Sequence, residues 1–142
     1  MLRMLLFRAL GAGKQGRKER DDTMMTPQEI AELVVRTLDG KKAHDIKLLH
    51  TTDVTVLADY FVLCTATSTT QIKTLADEVE HAVETAGEEV HHREGYRSGG
   101  WVLIDLGCVV VHLFMDETRK FYNLERLWAD AKEIDISSLL DG

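Results

Sequence analysis

The run Tyr60-Phe61-Val62-Leu63-Cys64-Thr65 is apolar at consecutive positions rather than at every second one. Side chains alternate across a pleated strand, so this run is apolar on both faces and belongs at the centre of a sheet. What flanks it sets much of the rest. Ser68-Thr69-Thr70-Gln71 has the pattern of a capping box, and Ile72, Leu75, Ala76, Val79, Val83 and Ala86 follow at helical spacing until Gly87. Upstream, Thr26-Pro27-Gln28-Glu29 is a further capping box with proline at the first helical position. It opens a stripe of Ile30, Leu33, Val34, Val35 and Leu38 that Gly40 stops. Strands are expected around Ile46–Leu49 and near Val90, and a hairpin of Trp101–Leu106 with Cys108–Phe114. Asp116 is expected to cap a short helical turn, and Asn123 another through Leu124–Lys132. The order α-β-β-α-β-β-β-α implies an α/β fold with a mixed sheet and helices mainly on one face.

The hairpin carries the most chemical information. With Leu106-Gly107 as a two-residue turn, Asp105 pairs with Cys108, Leu103 with Val110 and Trp101 with His112. One face then carries Val102, Ile104, Val109, Val111 and Leu113, uniformly aliphatic, and must be core. The other carries Trp101, Leu103, Asp105, Cys108, Val110 and His112. That mixture of aromatic, imidazole, carboxylate and aliphatic groups suits either a packing layer or the anchors of a protein interface.

Charge is unevenly placed. Residues 1–24 hold six Lys or Arg and three acids, a balance of +3, while the remainder holds eleven bases and twenty-one acids, a balance of −10. The first 24 residues have no regular period and are expected to be a disordered basic extension. The folded domain is expected over 25–134 and a loosely ordered tail over 135–142. An acidic domain is a poor direct ligand for nucleic acid, whose affinity comes from neutralised phosphates, and a better match for a basic protein surface. No apolar stretch approaches the roughly 20 residues that cross a bilayer. Cys64 and Cys108 stand inside apolar runs, as buried reduced thiols do, so a cytoplasmic protein is expected.

Catalytic readings find little purchase. A nucleotidyltransferase is the sharpest: Thr65-Ala66-Thr67-Ser68 follows a central strand and opens a helix, where phosphate could bind. Two-metal phosphoryl transfer needs paired carboxylates, yet two residues beyond Asp105 stands Gly107, leaving only the more distant Asp59. His91 and His92 are adjacent and point to opposite faces of a strand, and neither HxxxH nor CxxC spacing occurs. No Gly-rich nucleotide fingerprint and no GxSxG elbow is present. No metal or cofactor is expected.

Four blocks in order, DYFVLCTATSTTQIKTLADEVE, the REG loop, GWVLIDLGCVVVHLF and ETRKFYNLERLW, resemble the ribosomal silencing factor family, also called Iojap-related. The resemblance spans Thr26 to about Ala131. It implies a mixed five-stranded sheet with helices, like that of nucleotidyltransferases but without their active site. It also implies a non-catalytic protein that binds the large ribosomal subunit through its ribosomal protein fourteen. Bound there, near the surface that meets the small subunit, such a protein obstructs subunit joining and represses translation when nutrients are scarce. A homodimer off the ribosome is a further implication.

Carried onto this chain, the resemblance implies a partner-binding surface of Trp101, Asp105, Glu94 and His112 first, then Asp59, Tyr60, Gln71, Arg119 and Tyr122, with Gly95 relaxing a turn. The sequence departs from the family pattern in three places. Cys108 stands where an acid is usual, Thr65-Ala66-Thr67 lacks a glycine, and His50 stands where Asp is common.

Overall fold

The computed structural model describes residues 25–52, 58–97, 99–122, 126 and 129–140. The expected basic extension, residues 123–125, 127 and 128 of the expected last helical turn, and the side chain of Tyr122 lie outside the described residues, and Lys132, expected to end that turn, instead opens a strand. Helix α1 spans Pro27–Gly40, β1 His44–His50, β2 Tyr60–Ala66, α2 Thr69–Thr85 and β3 His92–Glu94. After a glycine-bearing loop come β4 (Trp101–Asp105), β5 (Val109–Met115), α3 (Asp116–Tyr122), β6 (Lys132–Ile134) and a 3-10 turn at Ser137–Leu139.

Both helices start where their caps require. The Thr26 hydroxyl accepts from the Glu29 amide at 3.1 Å while the Glu29 carboxylate accepts from the Thr26 amide at 2.8 Å, a complete capping box. At α2 only half of the box forms. Ser68 Oγ accepts from the Gln71 amide at 3.0 Å, but the Gln71 side chain turns away to accept from the Thr67 amide and hydroxyl at 2.6 and 2.9 Å. Its amide nitrogen donates to the carbonyls of Lys41 and Lys42, tying the end of α1 to the start of α2.

The sheet has six strands in the order β3-β4-β5-β2-β1-β6. The β2–β5 pair is parallel and every other pair antiparallel. The apolar run of β2 is central, as its two-faced character demands. Five strands were expected; the sixth is β6, whose Lys132, Glu133 and Ile134 pair with His50, Leu49 and Leu48. Three residues, two of them charged, hold too little alternation to read as a strand, and the edge of β1 supplies the hydrogen bonds that define it. Beyond it the chain packs Ile136 into the core.

The hairpin register differs by two residues from the expected one. Trp101 pairs with Phe114, Leu103 with His112 and Asp105 with Val110, and the Leu106 amide donates to the Val109 carbonyl at 2.9 Å. The turn residues are therefore Gly107 and Cys108. Gly107 takes φ +88° at the first central position, which in a two-residue hairpin favours glycine. A shift of two leaves every strand side chain on its expected face, because the pleat repeats every two residues. Only Cys108 changes sides, into the helix-side core.

That core joins Ile30, Val34, Val35 and Leu38 of α1 and Ile72, Leu75, Ala76, Val79 and Val83 of α2 to Val62, Cys64, Val102, Ile104, Val111 and Leu113 of the sheet. A smaller cluster occupies the opposite face: Leu49, Ala58, Phe61, Leu63, Trp101, Leu103, Val110 and Phe114. Placing both long helices on one face follows from their stripes, whose apolar positions recur on a single side of each.

Candidate docking site

The residues expected to matter most stand together. On the face opposite α1 and α2, β3 contributes His92 and Glu94, β4 contributes Trp101, Leu103 and Asp105, and β5 contributes Val110, His112 and Phe114. The aromatic members form a layer. The His112 and Phe114 rings are stacked at 5.9 Å and 4° between planes, Phe61 lies 5.2 Å from His112, and Trp101 lies 5.2 Å from Phe114.

His112 is held neutral. Trp101 Nε1 donates to His112 Nδ1 at 3.2 Å, so the ring proton sits on Nε2. Burial removes water from the charged form and pulls the imidazole down to about 3. Nε2 itself is buried and finds no hydrogen-bond partner. Trp101 and His112 are 1% and 2% exposed, so within this chain they act as a packed layer beneath the surface.

Asp105 builds the hairpin turn. Its Oδ1 accepts from the Gly107 amide at 2.8 Å, while Oδ2 is buried without a partner. Desolvation pushes its carboxyl upward, opposed by the Gly107 bond and by the nearby His91 and His92. The His91 ring lies close to where a side chain on Gly107 would project. His92 pairs with Asp105 across the strands and places Nε2 3.0 Å from Glu94 Oε1. A carboxylate, an imidazole and a second carboxylate thus line the β3 edge, with Glu94 half-buried at its outer end.

Asp59 and Tyr60 enter β2 beside that same turn, their amides both donating to the Cys108 carbonyl at 2.8 and 3.2 Å. Asp59 Oδ1 also accepts from the Thr52 hydroxyl at 3.2 Å. The Tyr60 phenol is raised by partial burial first and by Asp59 and Glu32 next, and its ring lies 4.9 Å from that of His50. Asp59 and Glu94 are thus the partly exposed acids of this region, whereas Asp105 is fully buried and holds the turn from inside.

Gln71 and Arg119 lie elsewhere. Gln71 bridges the two long helices, as described above. Arg119 is buried and donates to the Asp45 carbonyl at 2.9 Å and to the Thr65 hydroxyl at 2.8 Å, bolting α3 across β1 and β2. Gly95 has φ +81°, and a Cβ there would run into the Trp101 carbonyl oxygen, so this glycine is required by backbone contact. The loop after it is latched to α2: Tyr96 donates to Asp77 at 3.1 Å while the Arg93 guanidinium lies 4.1 Å over its ring. Sequence reasoning passed over His92 and Phe114. Strand alternation could have found both, since they share the face of Asp105 and His112.

The turn considered for phosphate is otherwise engaged, its Thr67 amide taken by Gln71 and Ser68 serving as the cap of α2. Among the described residues no group of three His, Cys, Asp or Glu stands close enough to hold a metal ion. Cys64 is buried beside Arg119, and desolvation pushes its thiol up to about 12, a state unsuited to nucleophilic chemistry.

Comparison with known proteins gives these features a family. The sequence model described as "Ribosomal silencing factor during starvation" matches residues 24–141. A ribosomal silencing factor of Halalkalibacterium halodurans is 38% identical over 116 residues, 82% of this chain and 99% of that protein. A crystal structure from Chromobacterium violaceum, 38% identical, superposes with a TM-score of 0.72 over 74% of this chain and 88% of that one. A mouse protein named for mitochondrial assembly of the large ribosomal subunit is 28% identical over 100 residues, 68% of this chain and 44% of that protein. With the motif blocks, the two capped helices and the mixed sheet in place, the chain belongs to the ribosomal silencing factor family.

Proposed function

We propose that this chain docks on the large ribosomal subunit through a basic ribosomal protein, the fourteenth in the usual naming, and represses translation by keeping the small subunit from joining. The observation that carries the reading is the charge of the domain beyond residue 24, −10, with the partly exposed acids Asp59 and Glu94 beside the buried aromatic layer. Opposite charge on the partner would steer the encounter and set its orientation, at a rate that falls as salt rises. The aromatic layer of Trp101, His112 and Phe114 stiffens the strands beside these acids. A domain of this size on the joining surface acts by occupying space, with no chemical step. The same reading allows a homodimer off the ribosome and places the protein in the cytoplasm.

A charge reversal at one of these acids tests the proposal. Glu94→Lys should weaken binding to purified large subunits by about tenfold, within the range seen for close charge pairs across an interface. The far-UV circular dichroism should stay unchanged. Unaltered affinity in a folded Glu94→Lys protein would remove Glu94 from the contact.

A further inference from the structure

Glu94 has a titratable neighbour on its own strand. β3 holds only His92, Arg93 and Glu94. Alternation puts His92 and Glu94 on one face and Arg93 on the other. Arg93 is taken up on the α2 side by Glu80 and Asp77, its guanidinium lying over the Tyr96 ring. That clamp fixes the strand from behind, while His92 and Glu94 share the face of Asp105 and Leu103, their partners on β4.

His92 Nε2 lies 3.0 Å from Glu94 Oε1, and the two side chains are 32% and 14% exposed. The nitrogen itself is sealed from water and meets the carboxylate without an aligned hydrogen bond, so the contact gains most from a charge on the ring. Across the strands His92 faces Asp105, whose Oδ2 is buried without a partner. His91, one residue earlier, lies beside Gly107 and acts together with His92 on the Asp105 carboxyl. The imidazole of β5 on this face, His112, stays neutral. One imidazole therefore stands between two carboxylates, half sheltered from solvent. Imidazole is the side chain whose charge ordinarily changes between about pH 5 and 8. In a partly dry site a unit charge about 3 Å away is felt far more strongly than in water.

We propose that His92 is a proton-operated switch on the docking acid Glu94: neutral, it lets the carboxylate act on a basic partner as a negative charge; protonated, it pairs with that carboxylate and cancels the charge. The same proton serves the buried Asp105. Acidification thus weakens docking while it ties β3 more firmly to β4. The two effects differ in sign because a partner competes with His92 for Glu94 but does not reach Asp105. The docking half of the inference rests on the proposed function; the pairing of His92 with the two carboxylates does not.

The pairing is read on the full chain without ribosomes, by nuclear magnetic resonance of carbon-labelled glutamate carboxyls. The Glu94 signal, assigned by its loss in Glu94→Gln, should move between about pH 7.5 and about pH 5.5. His92→Gln should abolish most of that step. A signal that stays still in the natural chain, or moves equally in His92→Gln, would overturn the proposal. Binding is read as the dissociation constant for purified large subunits at the same two pH values. Acidification should weaken the natural chain severalfold more than it weakens His92→Gln or Glu94→Gln. His81→Gln, at an exposed position of α2, should keep the full response. Equal responses in all four proteins would show that His92 does not operate the site. The expected resonance step with no binding by any of them would keep the ion pair and sink the docking reading instead.

Discussion

At the scale of single residues, the sheet face opposite the long helices is defined by two buried titratable groups that act in opposite directions. The His112 imidazole falls to about 3 in the folded protein, against an ordinary value near 6.5. Below that ordinary value the unfolded chain takes up a proton that the folded one refuses. Stability due to His112 is therefore present above about pH 6.5 and is lost as pH falls, by about 1.4 kcal/mol per unit. Between pH 7 and pH 5, urea unfolding of the natural chain should lose about 2 kcal/mol more than that of His112→Phe. Equal losses would show that the ring is not held neutral. For Asp105 the sign reverses: its raised carboxyl makes the charged form a liability at neutral pH. Asp105→Asn keeps an acceptor for the Gly107 amide while removing the charge, so its urea midpoint at pH 7 should rise. Asp105→Ala loses the turn bond too and should fall below it.

At the scale of elements, backbone contacts decide more than composition. The loop between β3 and β4 closes only because Gly95 lets the Trp101 carbonyl approach. Gly95→Ala should cost at least about 3 kcal/mol, combining a strained φ with a steric clash, measured as a drop in thermal midpoint. Thr26→Ala removes one partner of an intact capping box and should cost about 1 kcal/mol. Much of this level was legible. Consecutive apolar residues put β2 at the centre, and the Thr-Pro-Gln-Glu and Ser-Thr-Thr-Gln patterns fixed both helix starts. The misreadings have physical causes. The hairpin turn moved by one residue, and the register with it by two, because Leu106-Gly107 and Gly107-Cys108 both offer a glycine, and only the closing pair of Leu106 with Val109 separates them. The sixth strand stayed hidden because β6 is defined by the edge it joins. Of the site, the joint position of Trp101, Asp105 and His112 followed from alternation alone. Their burial did not, since one hairpin's pattern does not say what lies over it. Gln71 and Arg119 came from family resemblance, and the structure gives both a visible part in holding elements together.

At the scale of the whole molecule, the account turns on where charge sits. The family membership, the acidic domain and the partly exposed acids Asp59 and Glu94 are consistent with a protein that works by where it binds. Glu94→Lys changes that charge at one point, and salt changes it everywhere. Contact with a basic partner through Asp59 and Glu94 should weaken steadily between low and physiological ionic strength. The most direct test is sedimentation of the full chain with isolated large and small ribosomal subunits through sucrose gradients at two salt concentrations. The account predicts comigration with the large subunit alone, stronger at low salt, and fewer joined ribosomes when both subunits are present. Failure to comigrate at low salt, or comigration with both subunits alike, would contradict it.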